Sequence, residues 1–165
     1  MTEIPALRCE PMSAATRNGA MTLLGAFLSD DEHYRASAAV YGDSGAPALE
    51  RALDLFLARA ELGFVWLAQV AEAGSFLTVG ACVVCYAIST SRGTLVAKLD
   101  DVSIHEDWRG RGIGRRMLDA LAVHLRDRGV TRIDCGCHRG NAGAWRFYER
   151  MGFRSLDEER IARLI

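Results

Sequence analysis

The stretch Arg109-Gly110-Arg111-Gly112-Ile113-Gly114-Arg115-Arg116 constrains this chain more than any other, because three glycines join an apolar, strand-like run to an amphipathic helix. Glycine leaves backbone N–H groups uncovered and takes turn conformations closed to other residues. Those groups stand at the positive end of the following helix dipole, and four arginines within the same eight residues add charge. Such a turn binds anions, so a phosphorylated cofactor is the expected ligand; a surface turn that is merely rich in glycine and arginine is the alternative. Two other phosphate loops do not fit. The dinucleotide fingerprint needs a third glycine where Arg115 or Met117 stands, and the mononucleotide loop needs Gly-Lys-Ser/Thr where Gly114 is followed by two arginines.

With 165 residues, 50% of them hydrophobic, the chain is read as one compact domain over residues 1–165 with a sizeable core. A net charge of -1 and a pI near 6.4 argue against nucleic-acid binding, which draws its affinity from an excess of Lys and Arg. The first residues carry no basic stretch followed by an apolar one, and no segment reaches the ~18 continuous apolar residues of a membrane helix. A cytoplasmic protein with no membrane partner is therefore expected. Five cysteines without a secretion signal predict reduced thiols rather than a disulfide framework. Cys82-Val-Val-Cys85 and Cys135-Gly-Cys137-His138 fall in strand-like runs, where residues three apart face opposite sides of a sheet, so no metal site is expected; Cys135 and Cys137 do share a face.

The order of elements follows from periodicity and punctuation. Leu7 to Met12 reads as a strand, and Ser13 is placed to cap a helix carrying Ala20, Met21, Leu24, Phe27 and Leu28. Asp30 to Pro47 reads as a loop. A second helix is expected from Ala48 to about Glu61, with Gly63 beyond its end. Strands at Phe64 to Val70, Phe76 to Ile88 and Leu95 to Ile104 suggest an antiparallel meander. After the glycine-arginine turn come a helix through Met117, Leu121 and Leu125 that stops at Gly129, and a strand from Thr131 to Cys137. Asn141 then caps a last helix that ends at Gly152, and Ile161 to Ile165 can close the sheet.

Asp101-Val102-Ser103-Ile104, then Arg109-Gly-Arg-Gly-Ile-Gly114, and later Asn141-Ala-Gly-Ala-Trp-Arg-Phe-Tyr148-Glu-Arg-Met-Gly152-Phe153, taken in that order, resemble the GNAT superfamily of acetyl-CoA-dependent N-acetyltransferases. The match in motif detail covers roughly residues 95 to 154. It implies an α/β (α+β) fold with a mixed, mostly antiparallel twisted sheet of six to seven strands, flanked by about four helices and splayed between the fourth and fifth strands. It also implies acetyl-CoA as co-substrate and no metal. Arg109, Gly110, Arg111, Gly112, Ile113, Gly114 and Arg115 would hold the pyrophosphate, and Val102, Ser103 and Ile104 would lie along the pantetheine arm with main-chain hydrogen bonds from Val102 and Ile104. Asn141 is read as both helix cap and cofactor ligand.

Acetyl transfer makes three chemical demands. An alkylammonium of pKa ~10 must lose a proton before its nitrogen can attack. The thioester carbonyl needs a hydrogen-bond donor as charge collects on its oxygen, and the backbone N–H near Ile104 is suitable. The departing thiolate needs an acid, and Tyr148 matches the tyrosine that serves such enzymes. Asp100 is the expected base, acting through water, with Asp101 as rival; adjacent strand residues face opposite ways, so only one is expected to look into the site.

Within the superfamily the resemblance is greatest to diamine acetyltransferases, through Leu99-Asp100-Asp101 and the polar segment after Gly152. The expected partner is a small-molecule amine, with a homodimer as the assembly the resemblance allows and with no nucleic acid. An amino acid, an aminoglycoside and a protein N-terminus are alternative acceptors. Other readings are a non-catalytic acetyl-CoA sensor and covalent transfer through Cys135 or Cys137.

Overall fold

The computed structural model describes residues 6–35 and 45–156. In chain order these form β1 (Leu7–Pro11), α1 (Arg17–Asp30), α2 (Ala46–Ala58), β2 (Gly63–Glu72), β3 (Ser75–Ser89), β4 (Thr94–Ile104), a 3-10 turn (Glu106–Trp108), α3 (Ile113–Arg126), β5 (Val130–Cys135) and α4 (Ala142–Arg150). One sheet runs in the order β1-β2-β3-β4-β5, antiparallel up to β4 and parallel between β4 and β5. A parallel pair needs a crossover, and α3 supplies it. The sheet thus has five strands among the described residues, not the six to seven expected. The extra strand read at Ile161 to Ile165 lies outside them.

β2 is apolar on both faces because both are covered. Val65 and Leu67 pack with Leu24 of α1 and with Leu49 and Leu53 of α2. Phe64, Trp66, Ala68 and Val70 pack with Met117, Leu121 and Leu125 of α3 on the other side. The Trp66 indole Nε1–H donates to the Met117 carbonyl at 3.1 Å, so the buried polar edge of the ring is satisfied.

Several boundaries move for local reasons. Thr16, not Ser13, stands at the N-cap of α1, and its hydroxyl is turned back to accept from the Ser13 N–H at 2.9 Å instead of capping the helix. The loop expected from Asp30 to Pro47 is helical over 32–35; Asp31 Oδ1 accepts from the Tyr34 N–H at 2.7 Å, the arrangement of a helix cap, and residues 36–44 lie outside the described set. α2 begins at Ala46, with Pro47 pre-shaped for its first turn, and it ends at Ala58. Gly63 opens β2 rather than closing the helix, and β5 stops at Cys135.

Two features of β4 place the site. Val83 pairs with Asp100 and Ala81 with Ser103, so Asp101 and Val102 stand opposite Cys82 alone, a β-bulge in which Asp101 takes the left-handed φ of 51°. The parallel ladder to β5 runs from Leu95 against Val130 to Leu99 against Cys135 and then stops, while β4 continues to Ile104.

Candidate active site

Gly112 is the N-cap of α3 with φ 77°, and Gly110 has φ 71°. A Cβ on either would meet no atom within 4 Å, and no side chain caps α3. The amides of the first helical turn, which have no intrahelical partner, therefore face an open bend. Gly114 has another purpose: a Cβ there would lie 3.4 Å from Phe147 and 3.6 Å from Ile104, so its bareness lets α3 start close to α4 and β4. The arginines divide their work. Arg109 Nε donates to the Ile104 carbonyl at 3.0 Å and braces the turn, Arg111 lies over the Trp108 ring at 4.9 Å, and Arg115 reaches Asp119 at 3.6 Å. Exposed His105 lies beside Asp107, with 3.7 Å between its Nδ1 and the carboxylate.

The His105 N–H donates to Val79 of β3 at 2.8 Å. Backbone groups alternate in direction along a strand, so those of Ile104 and Val102 point the other way, to the side where β5 has departed. Arg109 meets the Ile104 carbonyl there, and backbone groups left over at such a gap need a partner. Ser103 lies differently: it is paired with Ala81, and its hydroxyl is buried with no partner among the described residues. Val102 and Ile104 pack their side chains against the α3 core as well.

Tyr148 lies on α4, with its ring edge-on to Phe147 at 5.4 Å and to Phe153 at 5.3 Å. It stands near Cys135, the last residue of the β4–β5 ladder, and both pack against the α3 core. Burial, then the nearby thiols, push the phenol above its ordinary value. Asn141 Oδ1 accepts from the Ala144 N–H at 3.0 Å, the expected cap. The loop before it is tied across the sheet, since His138 stacks on His33 with ring centres 4.7 Å apart.

Across the gap, burial followed by the charges of Asp100 and Asp31 raises Asp101 to about 6. Asp100 and Asp101 both act on Cys85, whose thiol is raised first by its burial. The expectation that Asp100 and Asp101 face opposite ways assumed an unbroken strand, whereas the bulge inserts a residue at that point. Asp31 and Tyr34 also reach this region, Asp101 adding to the burial that raises the Tyr34 phenol. Sequence reasoning missed Tyr34; the Asp-x-x-Tyr spacing of a helix cap was the available signal.

Among the described residues no group of three or more His, Cys, Asp or Glu is placed to hold a metal ion, and no helix is long and apolar enough to cross a membrane.

The model of the acetyltransferase (GNAT) family matches residues 30–153. The chain belongs to the GNAT family of acetyltransferases. Among its curated relatives is an uncharacterized N-acetyltransferase from Methanocaldococcus jannaschii, 33% identical over 102 residues that make up 57% of this chain and 45% of the relative. Another is the L-ornithine N5-acetyltransferase of Arabidopsis thaliana, 33% identical over 66 residues, 40% of this chain and 29% of that protein. The chain thus spans less than half the length of these relatives. The solved ribosomal-protein-alanine N-acetyltransferase from Brucella melitensis shares the fold at a TM-score of 0.72 and 17% identity, covering 96% of this chain and 99% of that one. In GNAT terms, the bend before α3 and the gap between β4 and β5 are where the family's acetyl-CoA is expected. An open row of amides with arginines beside it suits a diphosphate.

Proposed function

We propose that this protein moves the acetyl group of acetyl-CoA to a primary amine by direct attack, both substrates being bound together. The observation that carries the reading is the open, amide-lined bend at Gly112 next to the edge of Val102 and Ile104 that β5 leaves uncovered, with Tyr148 beside the point where the strands part. When bound, acetyl-CoA supplies an activated thioester. The bend holds its diphosphate, and the exposed edge of β4 pairs with the amides of its arm, as a strand pairs with an added strand.

The chain's own groups then meet the chemical demands. The Ile104 N–H donates to the thioester oxygen as charge collects there. Tyr148 delivers its phenol proton to the departing sulfur. A carboxylate of pKa about 6 is ionised at neutral pH yet retains basicity, so in this proposal Asp101 rather than Asp100 draws the amine's proton through water. The acceptor we favour is a small diamine or polyamine. Asp31, Asp100 and Asp101 give the acceptor side a negative field, and a curated relative is named for L-ornithine, an amino acid with a second amine.

The test is release of free thiol from acetyl-CoA across a panel of amines, diamines, amino acids, aminoglycosides and peptides. Turnover with diamines and its fall by roughly 10²-fold in Tyr148→Phe, with acetyl-CoA affinity kept, are the expected results. Binding without turnover on any amine makes the protein a sensor and overturns the reading.

A further inference from the structure

Resting on the acetyl-transfer reading just given, we propose that the stacked imidazoles of His33 and His138 close the outer end of the gap between β4 and β5, and that the ring so completed selects slender amines. His33 stands in the helical turn 32–35 after α1, and His138 in the loop that leads from β5 to α4. Their ring centres are 4.7 Å apart and their planes 27° apart, the geometry of a stacked pair. α1 packs on the sheet face that carries Val65 and Leu67, whereas α4 packs through Phe147 and Tyr148 on the α3 face. Elements on opposite faces of a sheet can meet only where the sheet ends or opens. His138 follows Cys135, where β5 has parted from β4, and α1 rests on β4. The opening is thus bounded at one end by the pairing of Leu99 with Cys135 and at the other by the stack.

Hydrogen bonds hold His138 in place. Its carbonyl accepts from the Asn141 N–H at 2.9 Å and from the Trp145 indole Nε1–H at 3.2 Å, both at the start of α4. Its Nδ1 accepts from the Gly140 N–H at 3.1 Å, which fixes the orientation of the ring. A Cβ on Gly140 would lie 3.3 Å from that nitrogen and 3.6 Å from Cε1 of His33, so a bare residue lets the loop turn beside both rings. His33 is set by its own turn, in which the Tyr34 N–H donates to Asp31 Oδ1 at 2.7 Å. Neither imidazole belongs to a buried cluster and His138 is exposed, so the pair does not serve the core. At the rim it has another use: an extended alkylamine can thread a closed ring, while a branched or polycyclic amine meets the imidazoles first.

The experiment is steady-state kinetics on the full chain with a straight-chain diamine, putrescine, and an aminoglycoside, kanamycin, as acceptors. His138→Asn removes the ring but keeps an acceptor for the Gly140 N–H, since an asparagine side chain makes the same bond to the amide two residues on. It should raise kcat/KM for kanamycin relative to putrescine about 3- to 10-fold, the worth of an aromatic pair, with KM for acetyl-CoA unchanged. His33→Ala should match it and add nothing in the His138→Asn background, whereas His33→Phe, which keeps a stacking face, should retain wild-type selectivity. Unchanged selectivity in both single variants, additive effects of the two, or a rise in KM for acetyl-CoA instead would each overturn the proposal. So would a wild type that takes kanamycin as readily as putrescine, and in all of these cases the acetyltransferase reading stands. Absence of turnover on every amine would sink that reading, and this proposal with it.

Discussion

The guanidinium of Arg111 lies 4.9 Å from the centre of the Trp108 ring, so the arginine between the two left-handed glycines is held by the 3-10 turn that precedes it. The contact fixes a long side chain beside the open amides before any ligand arrives. Cation–π contacts of this kind are worth about 1 kcal/mol at exposed sites.

Trp108→Ala frees Arg111, and the expected outcome is a rise of about fivefold in KM for acetyl-CoA with kcat and the amine KM unchanged. Initial-rate kinetics with each substrate varied in turn check this. A change in the amine KM of equal size would place Trp108 on the acceptor side instead.

Gly112→Val separates a conformational demand from a spatial one. No protein atom stands where the new Cβ would go, so crowding within the chain costs nothing, but φ 77° is left-handed and strains a branched residue by about 1–2 kcal/mol. The expected result is a lower melting temperature together with a loss of acetyl-CoA affinity of about tenfold or more, read by calorimetry. Wild-type affinity in a folded variant would remove the diphosphate from this bend.

Asp101→Asn tests the carboxylate through pH. Asp101 is raised from the ordinary 3.8 to about 6, so its favourable contribution to folding is complete below about pH 4 and is lost as pH rises through 6. The asparagine variant does not titrate and tolerates the left-handed φ. It should therefore melt above wild type at pH 8, by up to roughly 3 kcal/mol of stability for a shift of this size, and match it near pH 4. Turnover at pH 8 should fall roughly 10²-fold for loss of a general base, whereas Asp100→Asn should keep most of it. The reverse pattern of activities would make Asp100 the base.

Much of this architecture is legible in the residues. The turn at Arg109 to Arg116 can be read because glycine at Gly110 and Gly112 answers to a backbone requirement, and such requirements leave marks in sequence. α3 is equally plain, since Met117, Leu121 and Leu125 repeat at helical spacing and all are buried. Asn141 and Gly152 bracket α4 as their chemistry requires, one accepting from Ala144 and the other left-handed.

What could not be read depends on relations between distant residues. The bulge at Asp101 has no periodic signature; two adjacent aspartates look alike in an alternating pattern whether or not one of them is extra. The meeting of Asp31 with Asp101 is set by how the end of α1 and the helical turn after it rest near β4. The nearness of Cys135 to Tyr148 joins a strand end to a helix through packing alone. Ser13 does not cap α1 because the helix starts one turn later, after Thr16, whose hydroxyl turns back to the Ser13 N–H.

The bulge has one more effect, on the parity of β4. Before it, the odd-numbered Ala97 and Leu99 face the α3 core; after it, the even-numbered Val102 and Ile104 do. A single inserted residue thus reverses the numbering sense of everything downstream up to the glycine turn. Excising Asp101 would therefore restore plain alternation, with Leu99, Val102 and Ile104 all still facing the α3 core, and would take away only the bulge and its carboxylate from the strand that the coenzyme is proposed to lie along.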